Sequence, residues 1–487
     1  MGVSGQPSYF QSPKMGFWAV FALVIVCQMD SGVFMLPANL APYGLFYLGG
    51  LALTCMGGGA LALVFAQLCA WYPKTGGPHV YVEQAFGRTL AFFTGWTYWV
   101  ISWVSSAVIV VVSVSYLKPL MSSYLSPNII VLEIVLMVVV TALNFFGVQA
   151  AGHVGLVLAV VRFFPLLIMP IIALFFFNPA HFSVAPSVAN LSLPQTLNQV
   201  ILLIMWGFVG LETATTSAGE IRNPTKTIPR AVISGTLCVG GLYLISSLGI
   251  MGLIPGDQLM NSCEPYADAA RILFGGNWHV LISIIASISC MVALNGWMLT
   301  SGQVALGLAQ DGFLPSFFAQ KNRFNAPYWS LAISCIGMVL LLLFTANETL
   351  ATRIFTIIGF SVITFLFVYV VCCLAFFKLL LQKRGDMSFC VRSALWGVLA
   401  LGFCLWVIGG TPAHVLLIAS LFTVSGVPFY LHFLRAKKRD EVRIDGGGWV
   451  PATRIAFDRS GQPTMGDREI VWAKDMPRQE QEKQAGD

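Results

Sequence analysis

The chain has 487 residues, of which 57% are apolar and only 10% are charged, and its mean hydropathy is +0.79. Soluble globular domains carry about 25% charged residues, so this composition excludes that class. The net charge is +6, and we predict an integral membrane protein without a nucleic-acid partner.

Twelve apolar segments follow one another along the chain, with Gly and Pro marking many of the connections. Apolar segments of this length cross a bilayer as helices, which rise ~1.5 Å per residue. The predicted fold is therefore an all-α polytopic membrane protein with twelve transmembrane helices. The segments lie near residues 17–40, 45–71, 90–116, 128–147, 153–177, 196–218, 231–254, 278–305, 328–346, 352–381, 391–410 and 412–434.

The basic residues of the short loops predict the orientation. Sixteen Lys and Arg residues belong to one side, whereas Lys118, Arg271 and Arg353 belong to the other. Because such residues are enriched in cytoplasmic loops, both termini are expected in the cytoplasm of a multi-pass inner-membrane protein. The first segment is too long for a signal peptide and is expected to be retained.

The first apolar segment contains the tripeptide Asp30-Ser31-Gly32 and, five residues later, Pro37. A charge at the bilayer centre costs about 2.5–3.5 kcal/mol, so such a residue usually faces a cavity or a partner. Gly32 and Pro37 weaken helical hydrogen bonding, which is tolerated at membrane depth where the backbone lines a site. The segment predicts a broken helix and a binding site within the membrane.

The sixth segment has a comparable interruption, from Trp206 to Glu212, with two glycines and, again, an acid. Each glycine alone is also explained by close helix packing. Paired interruptions five helices apart instead indicate a 5+5 inverted-repeat transporter. The predicted divisions are a cytoplasmic N-terminus, two repeats, a pair of accessory helices and a polar cytoplasmic tail, at 1–16, 17–177, 196–381, 391–434 and 435–487.

These motifs are similar to those of the amino acid–polyamine–organocation superfamily. The resemblance lies in residues 31–41, 206–229, 296–303 and 311–315 and in the loop 73–81, and it spans about 15–435. Within the superfamily, the chain resembles the basic amino acid/polyamine antiporters, such as the bacterial arginine/agmatine antiporter. The resemblance implies pH-dependent exchange of a basic amino acid for a related amino acid or its decarboxylated amine by alternating access.

The resemblance also implies a substrate site at the two breaks. Ser31 and Gly32 match the backbone that binds the substrate carboxylate, in keeping with the preference of helix N-termini for anions. The carbonyl groups of the sixth-helix break suit the α-ammonium group. Trp206 matches an aromatic gate, and Trp297 matches an aromatic residue that stacks on a cationic side chain, worth about 2 kcal/mol when desolvated.

Three further positions match residues of that family. Tyr98 matches a gating or contact tyrosine on the third helix, and Ser361 matches a polar contact on the tenth. Glu212 matches the acid implicated in pH-dependent transport, a carboxyl group that gains and loses a proton. The substrate-binding set is therefore Ser31, Gly32, Tyr98, Trp206, Trp297 and Ser361, with Glu212 and Trp206 acting in gating and proton coupling.

The chain departs from the family at Asp30, where Gly is usual, and at Arg162, where the antiporter is apolar. A charged residue in mid-span is costly unless it is paired. We therefore predict an ion pair between Asp30 and Arg162. The alternative is that Asp30 binds a substrate ammonium group directly, which would favour amines over amino acids.

Other functions remain as alternatives: a proton-coupled transporter of neutral amino acids, or an amino-acid sensor without transport. An enzyme is not predicted, since HExxH, GxSxG and paired-Asp motifs do not occur. We predict no cofactor and no metal site, and contacts with membrane lipid. The resembling antiporter forms dimers, so a homodimer is one option, and the sequence leaves the oligomeric state open. The eleven scattered cysteines read as core residues, and Glu133 is expected at the membrane interface.

The tail after residue 435 is expected to be flexible, the alternative being a cytoplasmic plug that gates the pathway.

Overall fold

The computed structural model describes residues 14–29, 31–117, 129–146, 166–348, 350–383 and 387–431, together with four short strands farther on. The chain divides into two compact units, Met1–Gly426 and Val427–Asp487. The first unit is helical. Its α-helices are α1 (Phe17–Gln28), α2 (Ser31–Leu40), α3 (Phe46–Trp71), α4 (Pro78–Phe86), α5 (Arg88–Ser115), α6 (Ile129–Asn144), α7 (166–174), α8 (Pro186–Ala189), α9 (Leu193–Trp206), α10 (Thr213–Thr216), α11 (Pro224–Leu253), α12 (Gly256–Leu259), α13 (Pro265–Phe274), α14 (Trp278–Gln310), α15 (Tyr328–Phe344), α16 (Leu350–Gln382), α17 (Met387–Gly409) and α18 (Ala413–Val424).

The long helices match the predicted apolar segments, whereas the short helices α4, α8, α12 and α13 lie between those segments. The first segment is divided into α1 and α2, the sixth ends as α9 and resumes as α10, and the fifth is described only over α7. Eight spans in the described part of the chain are long and apolar enough to cross a membrane. The prediction of an all-α polytopic membrane protein is confirmed.

Local sequence explains where several helices begin. Ser192 and Gln195 form a capping box at the start of α9, in which each side chain binds the other's backbone N–H. Asn223 adopts a left-handed conformation, with φ of 50°, immediately before Pro224 starts α11. A proline at the first helical position costs no hydrogen bond, since its missing N–H would have no intrahelical partner.

The helices differ greatly in how far they are buried. In α5, 94% of the most apolar stretch of the helix is buried inside the protein. The corresponding share is 28% in α17 and 11% in the helix that starts at Ala413. The helix α5 packs against α14 and α16, while α11 packs against α1 and α3. Among the described helices, the interior is therefore built around α5, α11, α14 and α16, and the helices of the last two predicted segments lie at the periphery of the helical unit.

The second unit contains four three-residue strands: β1 (Glu441–Arg443), β2 (Trp449–Pro451), β3 (Ile455–Phe457) and β4 (Pro463–Met465). They form two antiparallel pairs, β1 with β2 and β3 with β4, in which Val442 opposes Val450 and Ala456 opposes Thr464. The sequence analysis did not anticipate these strands.

The structure contradicts the expectation that Glu133 lies at the membrane interface. Its side chain is fully buried on α6, where it accepts two hydrogen bonds from Arg353 of α16, with N···O distances of 3.1 and 2.8 Å. Arg353 is only 3% exposed. The pairing explains the burial, because a buried charge is retained only where a partner and hydrogen bonds compensate its desolvation.

Candidate functional site

The two breaks meet inside the helical unit. The first break lies between Gln28 at the end of α1 and Ser31 at the start of α2, and the second break is the turn 207–212 between α9 and α10. Gly210 of the second break has a φ of +103°, and a Cβ atom there would lie 3.1 Å from the backbone carbon and oxygen of Cys27. This close approach requires glycine.

Trp297 of α14 contacts the last turn of α1, beside the first break. Its indole N–H donates a hydrogen bond to the carbonyl oxygen of Cys27, at 3.3 Å. The preceding residue, Gly296, also lies against α1, since a Cβ atom there would be 2.9 Å from the Cys27 sulfur. Trp297 is therefore adjacent to the break that the sequence analysis assigns to the substrate carboxylate.

Glu212, at the end of the second break, is fully buried and accepts hydrogen bonds from two tyrosine hydroxyl groups. Tyr98 of α5 donates to Oε1 at 2.9 Å, and Tyr369 of α16 donates to Oε2 at 2.5 Å. An ionised carboxylate only accepts hydrogen bonds, and it satisfies both hydroxyl groups in this arrangement. Protonation would add a donor to one oxygen and make that oxygen a weaker acceptor, so the hydrogen bond from one of the two tyrosines would weaken.

Aromatic rings connect Glu212's partners to Trp297. The Phe365 ring lies 5.5 Å from the Trp297 ring and 5.8 Å from the Tyr98 ring, measured between centroids. It also contacts the Tyr369 ring, at 6.4 Å. The carboxylate and the tryptophan therefore belong to one buried cluster, which we call the aromatic cluster: Tyr98, Trp297, Phe365 and Tyr369 around Glu212.

Three predicted site residues carry buried polar atoms that form no hydrogen bond within the described part of the protein. They are Ser31 Oγ, Trp206 Nε1 and Ser361 Oγ. The three residues are 1%, 3% and 0% exposed. Buried polar groups almost always have partners, so such groups suit the recognition of a polar ligand.

The other predicted residues are placed as follows. Gly32 is buried in the first turn of α2. Asp30 and Arg162 lie outside the described residues, so their ion pair stays a prediction. Among the residues that are described, no three His, Cys, Asp or Glu side chains form a group suited to a metal ion.

The sequence analysis missed Tyr369, Phe365 and Tyr243. Ser361, Phe365 and Tyr369 follow one another at intervals of four residues, which places them on one face of α16. The spacing from Ser361 was the signal by which Phe365 and Tyr369 could have been found. Tyr243 gave no such signal, since its partners lie in the two breaks, 215 and 36 residues away in the chain.

A second polar cluster lies around Asp311, directly after α14. Lys74 and His79 donate to the two carboxylate oxygens of Asp311, the latter at 3.1 Å, and Arg88 donates to its backbone carbonyl at 2.8 Å. Burial acts to raise the pKa of Asp311, but the hydrogen bonds and positive charges of His79 and Lys74 outweigh it and hold the pKa below its usual value. The cluster joins the loop before α4 to the end of α14.

Replacing Asp311 by Asn is expected to lower the free energy of unfolding by about 1.5–3 kcal/mol at neutral pH, the worth of hydrogen bonds to a charged group. Because the pKa of Asp311 is depressed in the folded state, this stabilisation is present above the unfolded-state pKa and is lost as pH falls through the folded-state pKa. Thermal unfolding of the purified protein in detergent at several pH values measures the difference.

The matched control is Lys74→Gln, which removes a partner whose side chain is 56% exposed. An exposed ion pair contributes about 0–1 kcal/mol, so this variant should be nearly as stable as the wild type. Equal destabilisation by the two variants, or an Asp311→Asn effect that persists in strong acid, would contradict the prediction.

A polytopic helical protein in which two interrupted helices meet at a buried polar centre is a secondary transporter. The chain belongs to the amino acid permease family, whose family model matches residues 15–431. It is therefore a multi-pass inner-membrane transporter and not an enzyme.

Curated relatives are similar over most of their length. The putrescine transporter PotE of Haemophilus influenzae is 30% identical over 355 residues, which cover 73% of this chain and 82% of the relative. PotE of Escherichia coli K12 is 28% identical over 364 residues, with 74% and 83% coverage. The cadaverine/lysine antiporter of Escherichia coli K12 is 30% identical over 340 residues, with 68% and 74% coverage.

Proposed function

We propose that this protein is an antiporter that exchanges an amino acid for a related amino acid or its decarboxylated amine by alternating access, and that the amino acid is basic. The cadaverine/lysine antiporter and the putrescine transporters among its relatives support this substrate class. The observation that carries the proposal is the aromatic cluster, in which Glu212 and Trp297 lie together beside the two breaks.

In the proposed binding mode, the substrate carboxylate binds the backbone N–H groups of Ser31 and Gly32 at the N-terminus of α2. Helix N-termini favour anions because their first N–H groups have no intrahelical acceptor. The α-ammonium group binds carbonyl oxygens of the second break. Both binding groups are backbone atoms, so this part of the site recognises the amino-acid moiety rather than a particular side chain.

The substrate side chain is assigned to the aromatic residues and to α16. Trp297 stacks on a cationic side chain, and Ser361 provides a polar contact. Trp206 closes over the bound substrate. The unpartnered buried atoms of Trp206 and Ser361 support these roles, since each could bind a polar group of the substrate.

We also propose that Glu212 couples transport to protonation, with Tyr98 as its gating partner. The paired hydroxyl donors support this, because protonation of the carboxylate weakens one of the two acceptors that Tyr98 and Tyr369 use. The cytoplasmic location of both termini is supported by the excess of Lys and Arg in the loops of one side.

Counterflow in proteoliposomes tests the proposal. Vesicles containing the full-length protein are preloaded with unlabelled lysine, ornithine or arginine, and uptake of the labelled amino acid or of its amine is followed. Accumulation that requires the preloaded substrate is expected. Uptake driven by a pH gradient without preloaded substrate would instead identify a proton-coupled transporter, and binding without flux would identify a sensor.

A further inference from the structure

Tyr243 of α11 connects the two breaks. Its side chain is fully buried, and its hydroxyl oxygen lies 2.6 Å from the carbonyl oxygen of Gln28 and 3.2 Å from that of Gly207. Gln28 is the last residue of α1, and Gly207 is the first residue of the second break. A tyrosine hydroxyl has one hydrogen atom, so it donates mainly to the nearer carbonyl and shares the interaction with the other.

The sequence around Tyr243 is adapted to this contact. A Cβ atom at Gly207 would lie 2.2 Å from the Tyr243 hydroxyl oxygen, so only glycine lets this backbone approach the ring. Two turns earlier on α11, Thr236 accepts a hydrogen bond from the Gln28 side chain at 3.0 Å. Two side chains of α11, those of Tyr243 and Thr236, therefore bind the end of α1, and Tyr243 also contacts the second break.

We propose that Tyr243 is a specificity-determining residue, which sets the separation of the two breaks so that one α-amino acid can bind both at once. The inference rests on the proposed function, in which the first break binds the carboxylate and the second binds the α-ammonium group. These two groups share one carbon atom, so a substrate can span the breaks only within a narrow range of separations.

The corresponding amine lacks the carboxylate and has no group for the first break. Its binding therefore does not depend on the separation that Tyr243 sets. Loss of the hydroxyl also leaves the Gly207 carbonyl without this donor, which makes that carbonyl available to an ammonium group. Both consequences shift the preference of the site from the amino acid toward the amine.

The test compares the dissociation constants of lysine and cadaverine for the purified full-length wild type and the Tyr243→Phe variant, with ornithine and putrescine as a second pair. Lysine should bind the variant about 3- to 10-fold more weakly, the effect of one lost hydrogen bond, and cadaverine should change by less than about twofold. An equal shift for both ligands, or a larger loss for cadaverine, overturns the inference.

The matched control is Tyr47→Phe. Tyr47 is also fully buried, and its hydroxyl has no hydrogen-bond partner in the described structure, so the ratio of the two dissociation constants should not change. If Tyr243→Phe does not fold, Thr236→Val provides the second variant, because it removes only the bond to Gln28 and should shift the ratio in the same direction by a smaller factor.

The two proposals fail in different ways. A wild type that exchanges neither matched pair in counterflow overturns the proposed function. A wild type that exchanges a pair, together with a Tyr243→Phe variant whose ratio is unchanged, overturns only the role of Tyr243.

Discussion

Replacing Glu133 by Gln, or Arg353 by Met, is expected to lower the free energy of unfolding by about 3–5 kcal/mol, whereas replacing both together should cost much less. Each single change leaves the other charge buried without its partner, and the Glu133 and Arg353 side chains are 0% and 2% exposed. The double change removes both charges. Thermal unfolding of the four proteins in detergent gives the double-mutant cycle.

A suitable control for this cycle is Arg271→Gln. Arg271 also forms an ion pair, with Asp268 at 3.2 Å, but its side chain is 56% exposed. A pair of this kind contributes about 0.2–1 kcal/mol, so the control should unfold near the wild-type temperature. If the effects of the Glu133 and Arg353 changes simply add, the two residues are not energetically coupled and the prediction is wrong.

The position of this ion pair also matters for transport. Arg353 lies in the first turn of α16, the helix that carries Ser361, Phe365 and Tyr369. Ser361 is eight residues farther on, about 12 Å along the helix axis. The ion pair therefore fixes α16 to α6. Because α16 carries two residues of the aromatic cluster and a predicted substrate contact, loss of the ion pair would also disturb the position of the site.

Replacing Glu212 by Gln is expected to reduce the exchange rate by about tenfold and to make the remaining rate independent of pH. The amide keeps one acceptor oxygen but presents an NH2 donor to the other tyrosine hydroxyl, and a buried polar group without a partner costs about 1–3 kcal/mol. The amide also does not titrate. Exchange measured in proteoliposomes from acidic to neutral pH tests both effects.

Two comparisons give this experiment its specificity. Glu83→Gln changes an acid that is half-buried on α4, outside the aromatic cluster, and should leave the pH profile unchanged. Tyr369→Phe removes one hydroxyl donor but keeps the carboxylate, so it should slow exchange while the pH dependence persists. A Glu212→Gln variant with the wild-type pH profile would show that the titrating group lies elsewhere.

The structure brings several of the predicted site residues together, while their roles in transport stay predictions. Tyr98 and Glu212 are hydrogen bonded to each other, and Trp297 contacts the last turn of α1, beside the first break. Ser31 and Ser361 are buried as a ligand site requires, but their roles stay predictions. Each of these residues was predicted from the short stretch of sequence around it, which can be compared with the family's motifs without knowledge of the fold.

Local sequence by itself determined the class of the protein, the positions of its apolar segments and the two breaks. Length and hydropathy decide whether a segment can cross a bilayer, and Gly and Pro decide where its hydrogen bonding is interrupted. These properties depend on neighbouring residues alone. The boundaries of the described helices therefore agree with the predicted segments within several residues.

Only the tertiary structure decided which polar groups are partners. Glu212 pairs with tyrosines 114 and 157 residues away, Glu133 with an arginine 220 residues away, and Asp311 with a histidine 232 residues away. A buried charge or hydroxyl group is usually paired, but the choice of partner depends on which helix faces meet in the interior. Helix packing sets that choice, and the local pattern of one chain does not contain it.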